Sequence, residues 1–205
     1  MLAVRVSGHR AMMAAPVLFL LAGCGAPPAG EQHAALQLSD YHYVAECNNN
    51  HQCLMGTPNS ALDGLQCPEG QVITGLYGRA GSYIDRIGIV CAPLNSDGTL
   101  GFAQAVSSLG SDGGNGFDEI DCPANSAAYG IIGRGGQYVD AVGLGCARAP
   151  FNQVAGTYQN TVIVGGSGGG VEWIECQPSY LLDSLTVYHG GWIDGLKGTC
   201  VYVAP

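Results

Sequence analysis

Gly81-Ser82-Tyr83-Ile84-Asp85-Arg86-Ile87-Gly88-Ile89-Val90-Cys91 is the stretch that decides the fold, because its opening turn recurs twice at constant spacing. The other copies are Gly136-Gln137-Tyr138-Val139-Asp140 and Gly190-Gly191-Trp192-Ile193-Asp194. Each copy belongs to a unit that opens with a cysteine. Counted from it, the glycine lies at +14, the aromatic residue at +16, the aspartate at +18 and a second cysteine at +24. The units repeat every 54 to 55 residues, and such a period is typical of folds built from symmetrically arranged supersecondary units.

Composition limits what these units can be. Only 11% of the 205 residues are charged and 33 are glycine, which argues against both a disordered chain and a mainly helical one. The length suits one domain plus a leader. The formal net charge of −9 argues against a nucleic-acid partner, because a nucleic-acid surface needs clustered lysine and arginine to meet phosphates.

Residues 1–23 are typical of an export signal, with basic residues before an apolar run from Ala11 to Ala22 that is too short to span a bilayer. The leader ends in Leu21-Ala22-Gly23-Cys24, which resembles the lipobox of bacterial lipoproteins and implies a lipid anchor on Cys24. A plain secretory signal with an incidental cysteine is the alternative. Residues 24–40 suit a flexible tether. Gly25 looks like an outer-membrane address if the host is diderm, so we expect the protein at the cell envelope.

Export also explains the cysteines, because disulfides persist in oxidising compartments. Eight cysteines remain after Cys24, and three equivalent units should each have the same disulfide. The predicted disulfides are Cys67–Cys91, Cys122–Cys146, Cys176–Cys200 and Cys47–Cys53. Metal binding is the competing interpretation of these cysteines. The sequence has no C-x-x-C pair and its histidines are scattered, so we expect no metal and no cofactor.

Within each unit the pattern favours short strands joined by glycine-rich turns. In the first unit the predicted strands cover residues 72–78, 84–90, 100–109 and 117–121. In the third they cover 155–164, 171–176, 181–188 and 192–203, and the N-terminal segments 41–47 and 62–67 supply two strands to the first unit. Twelve strands in three units predict an all-β, closed or prism-like domain over residues 41–205.

The threefold G-x-x-x-D turn and the glycine-rich loops resemble the jacalin-related lectins over residues 41–205. The resemblance implies a β-prism of three four-stranded sheets with pseudo-threefold symmetry and a carbohydrate-binding activity. The Cys-Pro pairs at Cys67 and Cys122 are also similar to the vitelline-membrane outer layer protein, a disulfide-bonded relative with the same architecture.

The resemblance further implies that each turn forms a sugar site with the glycine pair of the loop that follows it. Residues 81–85 would pair with Gly113 and Gly114, and residues 136–140 with Gly168 and Gly169. An ionised aspartate accepts hydrogen bonds from two vicinal hydroxyls, while a glycine loop lets the sugar approach backbone N–H donors. The predicted carbohydrate-binding residues are Gly81, Ser82, Tyr83, Asp85, Gly113, Gly114, Gly136, Gln137, Tyr138, Asp140, Gly168, Gly169, Gly190, Trp192 and Asp194.

The third turn should pair by cyclic symmetry with the loop before Cys67. That loop contains Pro58, which cannot donate a hydrogen bond, and it has no glycine pair. We therefore predict two competent sites and one altered site, where Trp192 could still offer an apolar face to a sugar ring.

Several residues have a second interpretation. The turn aspartates could instead bond only to neighbouring backbone N–H groups, and the turn aromatics could line a site or cap the end of the sheets. Arg79 and Arg134 are expected to form a salt bridge with the turn aspartate rather than to reach a ligand. Asp118, Glu119 and Asp121 are expected to form a solvated face rather than a metal site.

Enzymatic function is not expected. No Ser-His-Asp or Cys-His arrangement repeats, the cysteines are assigned to disulfides, and the loop 165–170 lacks the Lys-Ser/Thr ending of a phosphate-binding loop. Two function classes remain: an envelope lectin whose partners are glycans or polysaccharide surfaces, and a non-catalytic structural or adhesion module with protein partners.

Overall fold

The computed structural model describes residues 37–44, 54–149, 151 and 158–204, and over this part of the chain the regular structure is entirely β. The strands are β1 (Gln37–Val44), β2 (Met55–Gly56), β3 (Ala61–Gln66), β4 (Gln71–Ala80), β5 (Ile84–Pro93), β6 (Gln104–Gly110), β7 (Asn115–Asp121), β8 (Ser126–Gly135), β9 (Val139–Arg148), β10 (Tyr158–Asn160), β11 (Val164–Gly165), β12 (Gly170–Glu175), β13 (Tyr180–His189) and β14 (Ile193–Ala204). No helix within the described residues is long and apolar enough to cross a membrane. The predicted leader, Cys24, Cys47 and Cys53 lie outside the described residues.

Three antiparallel sheets share one plan, in which a long inner hairpin is flanked by two outer strands. Their orders are β6-β5-β4-β7, β10-β9-β8-β12 and β1-β14-β13-β3, with β11 also pairing with β9 and β2 with β14. The predicted β-prism of three four-stranded sheets is confirmed, although the fourth strand is split into two pieces in two of the sheets.

Thr161 explains one of these splits. Its hydroxyl accepts the hydrogen bond from the Leu144 N–H at 2.9 Å, a bond that a strand would accept through a carbonyl. The predicted strand over residues 155–164 is therefore present as β10 and β11 in its described part.

The N-terminal strands differ from the prediction. They were expected in the first unit, but β1 and β3 pair with the last hairpin, on β14 and β13 respectively. The reason lies in the closure of the prism. The first hairpin is flanked by β6 and β7, which follow it in the chain, so the N-terminal segments remain to flank the last hairpin. In addition, β1 begins at Gln37, inside the range predicted as a tether.

The inner strands supply most of the core between the sheets. The first eight residues of β9 are all buried, whereas the first four residues of the outer strand β6 are exposed. Glycines make burial on both faces possible, because a bulky ring can lie flat across them. Tyr129 covers Gly145 and Tyr77 covers Gly88 in this way.

The three predicted disulfides within the described residues are confirmed, and they join the sheets in a ring. Cys67, Cys122 and Cys176 each follow an outer strand of one sheet and bond to Cys91, Cys146 and Cys200 on an inner strand of the next sheet, with Cα–Cα distances of 5.7, 5.6 and 5.9 Å. Each cross-link closes a loop with a sequence separation of 24, which stabilises the fold by roughly 3 kcal/mol in the chain-entropy model.

Candidate functional site

The three G-x-x-x-D turns converge at one end of the prism. Their rings touch one another, with centroid distances of 4.9 Å for Tyr83–Tyr138, 5.5 Å for Tyr83–Trp192 and 5.1 Å for Tyr138–Trp192. The structure therefore shows that all three rings cap this end of the sheets. The cap fixes the three turns relative to one another.

Each turn is closed in the same way. The N–H of the first glycine donates to the carbonyl of the aromatic residue two positions later, at 2.8 Å for Gly81, 3.0 Å for Gly136 and 2.9 Å for Gly190. A bulge at the end of the preceding strand accompanies every turn. The turn thus places each aspartate at the same point of the returning strand.

Asp85 and Asp140 lie against the glycine pairs that were predicted to join them. Asp85, Asp140 and Asp194 are each only 5% exposed. A methyl group on Gly113 would collide with Oδ1 of Asp85, and one on Gly114 would collide with Oδ2. Glycine is required there because the carboxylate occupies the space that a Cβ would take.

The second site repeats this arrangement. A methyl group on Gly168 would collide with Oδ1 of Asp140, and one on Gly169 would meet Oδ2. Gly114 and Gly169 also have φ values of +57° and +58°, a conformation that favours glycine. Both predicted turn–loop pairs are therefore brought together.

Backbone bonds dock all three loops onto the turns. The carbonyls of Asp85, Asp140 and Asp194 accept hydrogen bonds from the N–H groups of Ser111, Gly166 and Thr57 at 2.8, 2.7 and 2.8 Å. Among the described residues, no hydrogen bond reaches the side-chain carboxylate of Asp85, which leaves its lone pairs for a ligand. Within that part of the chain, the alternative in which the Asp85 side chain bonds to neighbouring backbone N–H groups is therefore not what the structure shows.

Arg79 and Arg134 hold the glycine loops, and the predicted salt bridge to the turn aspartate is wrong. Arg79 donates from Nε to the carbonyl of Gly113 at 2.7 Å and from Nη2 to that of Gly114 at 2.8 Å. Arg134 makes the same pair of bonds in the second loop, at 2.6 and 2.7 Å. A planar guanidinium suits two neighbouring acceptors, so each arginine fixes the loop backbone beside the carboxylate.

The second site carries a further carboxylate that the repeat pattern did not reveal. Glu172 on β12 accepts a hydrogen bond from the Gly56 N–H at 3.1 Å. Burial raises the pKa of Glu172, the Gly56 bond lowers it and the nearby Asp140 charge raises it. Burial also raises the pKa of Asp140, and the Arg134 charge partly opposes this. The residues of the other two units at the position of Glu172 are Asp63 and Phe117, so a carboxylate at this position is not part of the threefold repeat.

The third site departs from the pattern, as predicted. Asn59 and Ser60 occupy the positions of the glycine pair. The next residue, Ala61, pairs with His189 at the end of the inner strand, and the residues after the other two glycine pairs bond to the equivalent positions of their own inner strands. Ser60 does not have the positive φ of Gly114 and Gly169, since only two other non-glycine residues of the described chain have one. The loop backbone therefore runs differently beside Asp194. A His189–Asp63 contact of 3.0 Å flanks it.

The second aspartate faces an open pocket of about 340 Å³ built from two units. Its lining residues are Gly81, Ser82 and Tyr83 of the first turn with Asp140, Gly166, Ser167 and Gly168. Tyr83 therefore has both roles considered for it, capping and lining. In the first site, the Ser111 hydroxyl donates to the carbonyl of Gly191 in the neighbouring turn at 2.7 Å. In the third site, the Thr57 hydroxyl donates to the carbonyl of Gly136 at 2.9 Å.

The remaining predicted candidates lie at the surface. Gln137 is exposed at the tip of the second turn. Asp118, Glu119 and Asp121 are exposed on β7, as expected for a solvated face. Within the described ranges, no group of three histidine, cysteine or acidic side chains could hold a metal ion.

No protein-family model and no curated protein matches this chain. Solved structures do. A Malaysian banana lectin aligns with a TM-score of 0.51 and 17% identity over 78% of this chain and 99% of its own. A mannose-binding jacalin-related lectin from Ananas comosus aligns with a TM-score of 0.52 and 15% identity over 73% and 94%. A single-chain recombinant jacalin aligns with a TM-score of 0.50 and 10% identity over 82% of this chain and 97% of its own. At these identities the likeness shows the β-prism fold.

Proposed function

We propose that this protein binds carbohydrate without transforming it, through two sites centred on Asp85 and Asp140. The observation that carries the proposal is the contact of each buried carboxylate with a glycine pair. An arginine holds that pair in place by donating hydrogen bonds to its carbonyl groups. In each site an acidic acceptor and a backbone free of side chains meet at the protein surface.

Such a site can recognise vicinal hydroxyls. The ionised carboxylate accepts two hydrogen bonds from neighbouring hydroxyl groups, and backbone N–H groups of the glycine loop donate to their lone pairs. The arginine itself contacts only the loop carbonyls, so its role is to position the backbone. The mannose-binding neighbour from Ananas comosus makes mannose the first sugar to test.

Affinity for one sugar should be low. A shallow site with one carboxylate and a few backbone donors is expected to bind a monosaccharide with a dissociation constant near the millimolar range, or about 4 kcal/mol. Two sites at one end of the prism would raise binding to repeated sugars through effective concentration, as would many copies on one membrane. Polysaccharide surfaces are therefore the expected partners.

A glycan array of the mature protein tests this function. The parent should bind a set of glycans, Asp85→Asn and Asp140→Asn should each weaken that binding, and the double variant should abolish it. Asp118→Asn, an exposed change on β7, is the matched control and should behave as the parent. A parent that binds no glycan, with no heat on titration of monosaccharides, would refute the lectin function and favour the adhesion module.

The envelope location is a separate part of the proposal. It rests on the leader and on the lipobox-like sequence that ends at Cys24. In a bacterial host, labelled fatty acid should be incorporated into the parent and not into Cys24→Ala. A parent that is recovered unlabelled from the medium would contradict the anchor.

A further inference from the structure

A second cavity, of about 350 Å³, lies far from the aspartate sites. Tyr129, Tyr158, Glu175 and Tyr180 line it, together with Arg148 at its exposed edge. Along β9, eight residues separate Ala147 in this cavity from Val139 at the second turn, which is about 26 Å of strand. A ligand here would not touch the proposed sugar sites.

The pseudo-threefold repeat does not require this cavity. The carbonyls of Thr74, Tyr129 and Asp183 accept equivalent hydrogen bonds from the cysteines that open the three units, at 2.8, 2.7 and 2.9 Å. Only the second unit has an aromatic ring at that position. The fold constrains only the backbone at this position, so the ring that Tyr129 contributes to the cavity points to a function outside the fold itself.

Aromatic rings from Tyr129, Phe151, Tyr158 and Tyr180 form part of the walls. The ring of Tyr129 lies 4.8 Å from that of Tyr158 between centroids, at an interplanar angle of 59°. Tyr180, which also lines the cavity, makes a ring contact of 5.2 Å with Tyr202. Ring faces carry a partial negative charge, so several tyrosines around one space attract an organic cation.

The charged side chains at the cavity are Glu175, which is half-buried on its wall, and Arg148, which is exposed at its edge, so the negative charge lies on the more buried side. Burial raises the pKa of the Tyr129 hydroxyl, and the neighbouring Glu175 carboxylate raises it further, which indicates a negative potential on this wall. The whole chain has a formal net charge of −9. A neutral sugar gains nothing from that potential, whereas a cation does.

We propose that the cavity lined by Tyr129, Tyr158, Tyr180 and Glu175 binds a compact organic cation of the methylated or quaternary ammonium class. The rings contact the methyl groups, and the Glu175 carboxylate balances the charge. The volume fits a small ligand, since pockets for small molecules begin at about 300 Å³.

Choline and its neutral isostere 3,3-dimethylbutan-1-ol test the proposal, because they share a shape and differ in charge. Choline should bind, with the isostere weaker by about tenfold or more. Glu175→Gln should weaken choline binding severalfold. Asp121→Asn, the corresponding position in the first unit, is the matched control and should leave binding unchanged.

Three outcomes would overturn the proposal: no choline binding to the folded parent, equal binding of the two isosteres, or a sugar that competes with choline for this cavity. Tyr158→Leu keeps apolar bulk while removing the ring, and it should also weaken choline binding. Retained mannoside binding in Glu175→Gln and Tyr158→Leu would show that the sugar sites are intact. The cation proposal can therefore fail while the proposed lectin function stands.

Discussion

Three adjacent glycines of the second loop should respond differently to alanine. In Gly168→Ala the new methyl group displaces the Asp140 carboxylate, which can rotate, so we expect a cost of about 1 kcal/mol. In Gly169→Ala the left-handed φ of +58° costs about 1–2 kcal/mol. Collision with the carbonyl of Gly135, which cannot rotate away, brings the total to about 2–4 kcal/mol. Gly170→Ala meets open space and should be neutral or slightly stabilising.

Thermal unfolding and titration calorimetry with a mannoside separate the three variants. For a domain of this size, Gly169→Ala should lower Tm by about 5–15 °C, Gly168→Ala by only a few degrees and Gly170→Ala not at all. Stoichiometry should fall from two to one in the first two variants and stay at two in the third. The reasoning would be refuted if Gly170→Ala were as damaging as Gly169→Ala, or if Gly168→Ala kept both sites.

Three further predictions follow from the same geometry. Replacing Cys67 and Cys91 together by serine should cost roughly 3 kcal/mol in chemical denaturation, because the open loop gains entropy in the unfolded chain; an unchanged midpoint would contradict this. Burial raises the pKa of Asp140 above 3.8, so its ionised form destabilises the fold at neutral pH. Asp140→Asn should therefore be at least as stable as the parent at pH 7, and that advantage should vanish below pH 3.8; an advantage that grew as pH fell would be inconsistent with it. Asn59→Gly with Ser60→Gly should add a third mannoside site in calorimetry, and a stoichiometry still at two would count against the role of the missing glycine pair.

The repeat made much of the fold predictable. A cysteine pair at constant separation in three units fixed the three described disulfides, and glycine turns between β-branched runs fixed the inner hairpins. Asp85 and Asp140 could be placed beside their glycine pairs because turn and loop recur together along the chain. The different third loop was predictable too, since the segment before Cys67 contains Pro58 and no glycine pair.

Other features depended on how distant units meet. The partners of β1 and β3 follow from closing the prism, which leaves the last hairpin without flanking strands of its own. Arg79 was expected to meet an aspartate, but the loop that folds over it presents two carbonyls, and a planar guanidinium binds both.

The sequence by itself thus determined the repeating unit, its disulfides and its turn aspartates, because each is encoded by residues close together or repeated at one spacing. Only the tertiary structure decided the ring cap, the Glu172–Gly56 bond and the two pockets. These join residues from different units, and in several cases one unit differs from the other two. A periodic pattern cannot show a contact that occurs once, so the closed prism has to place the partners in space.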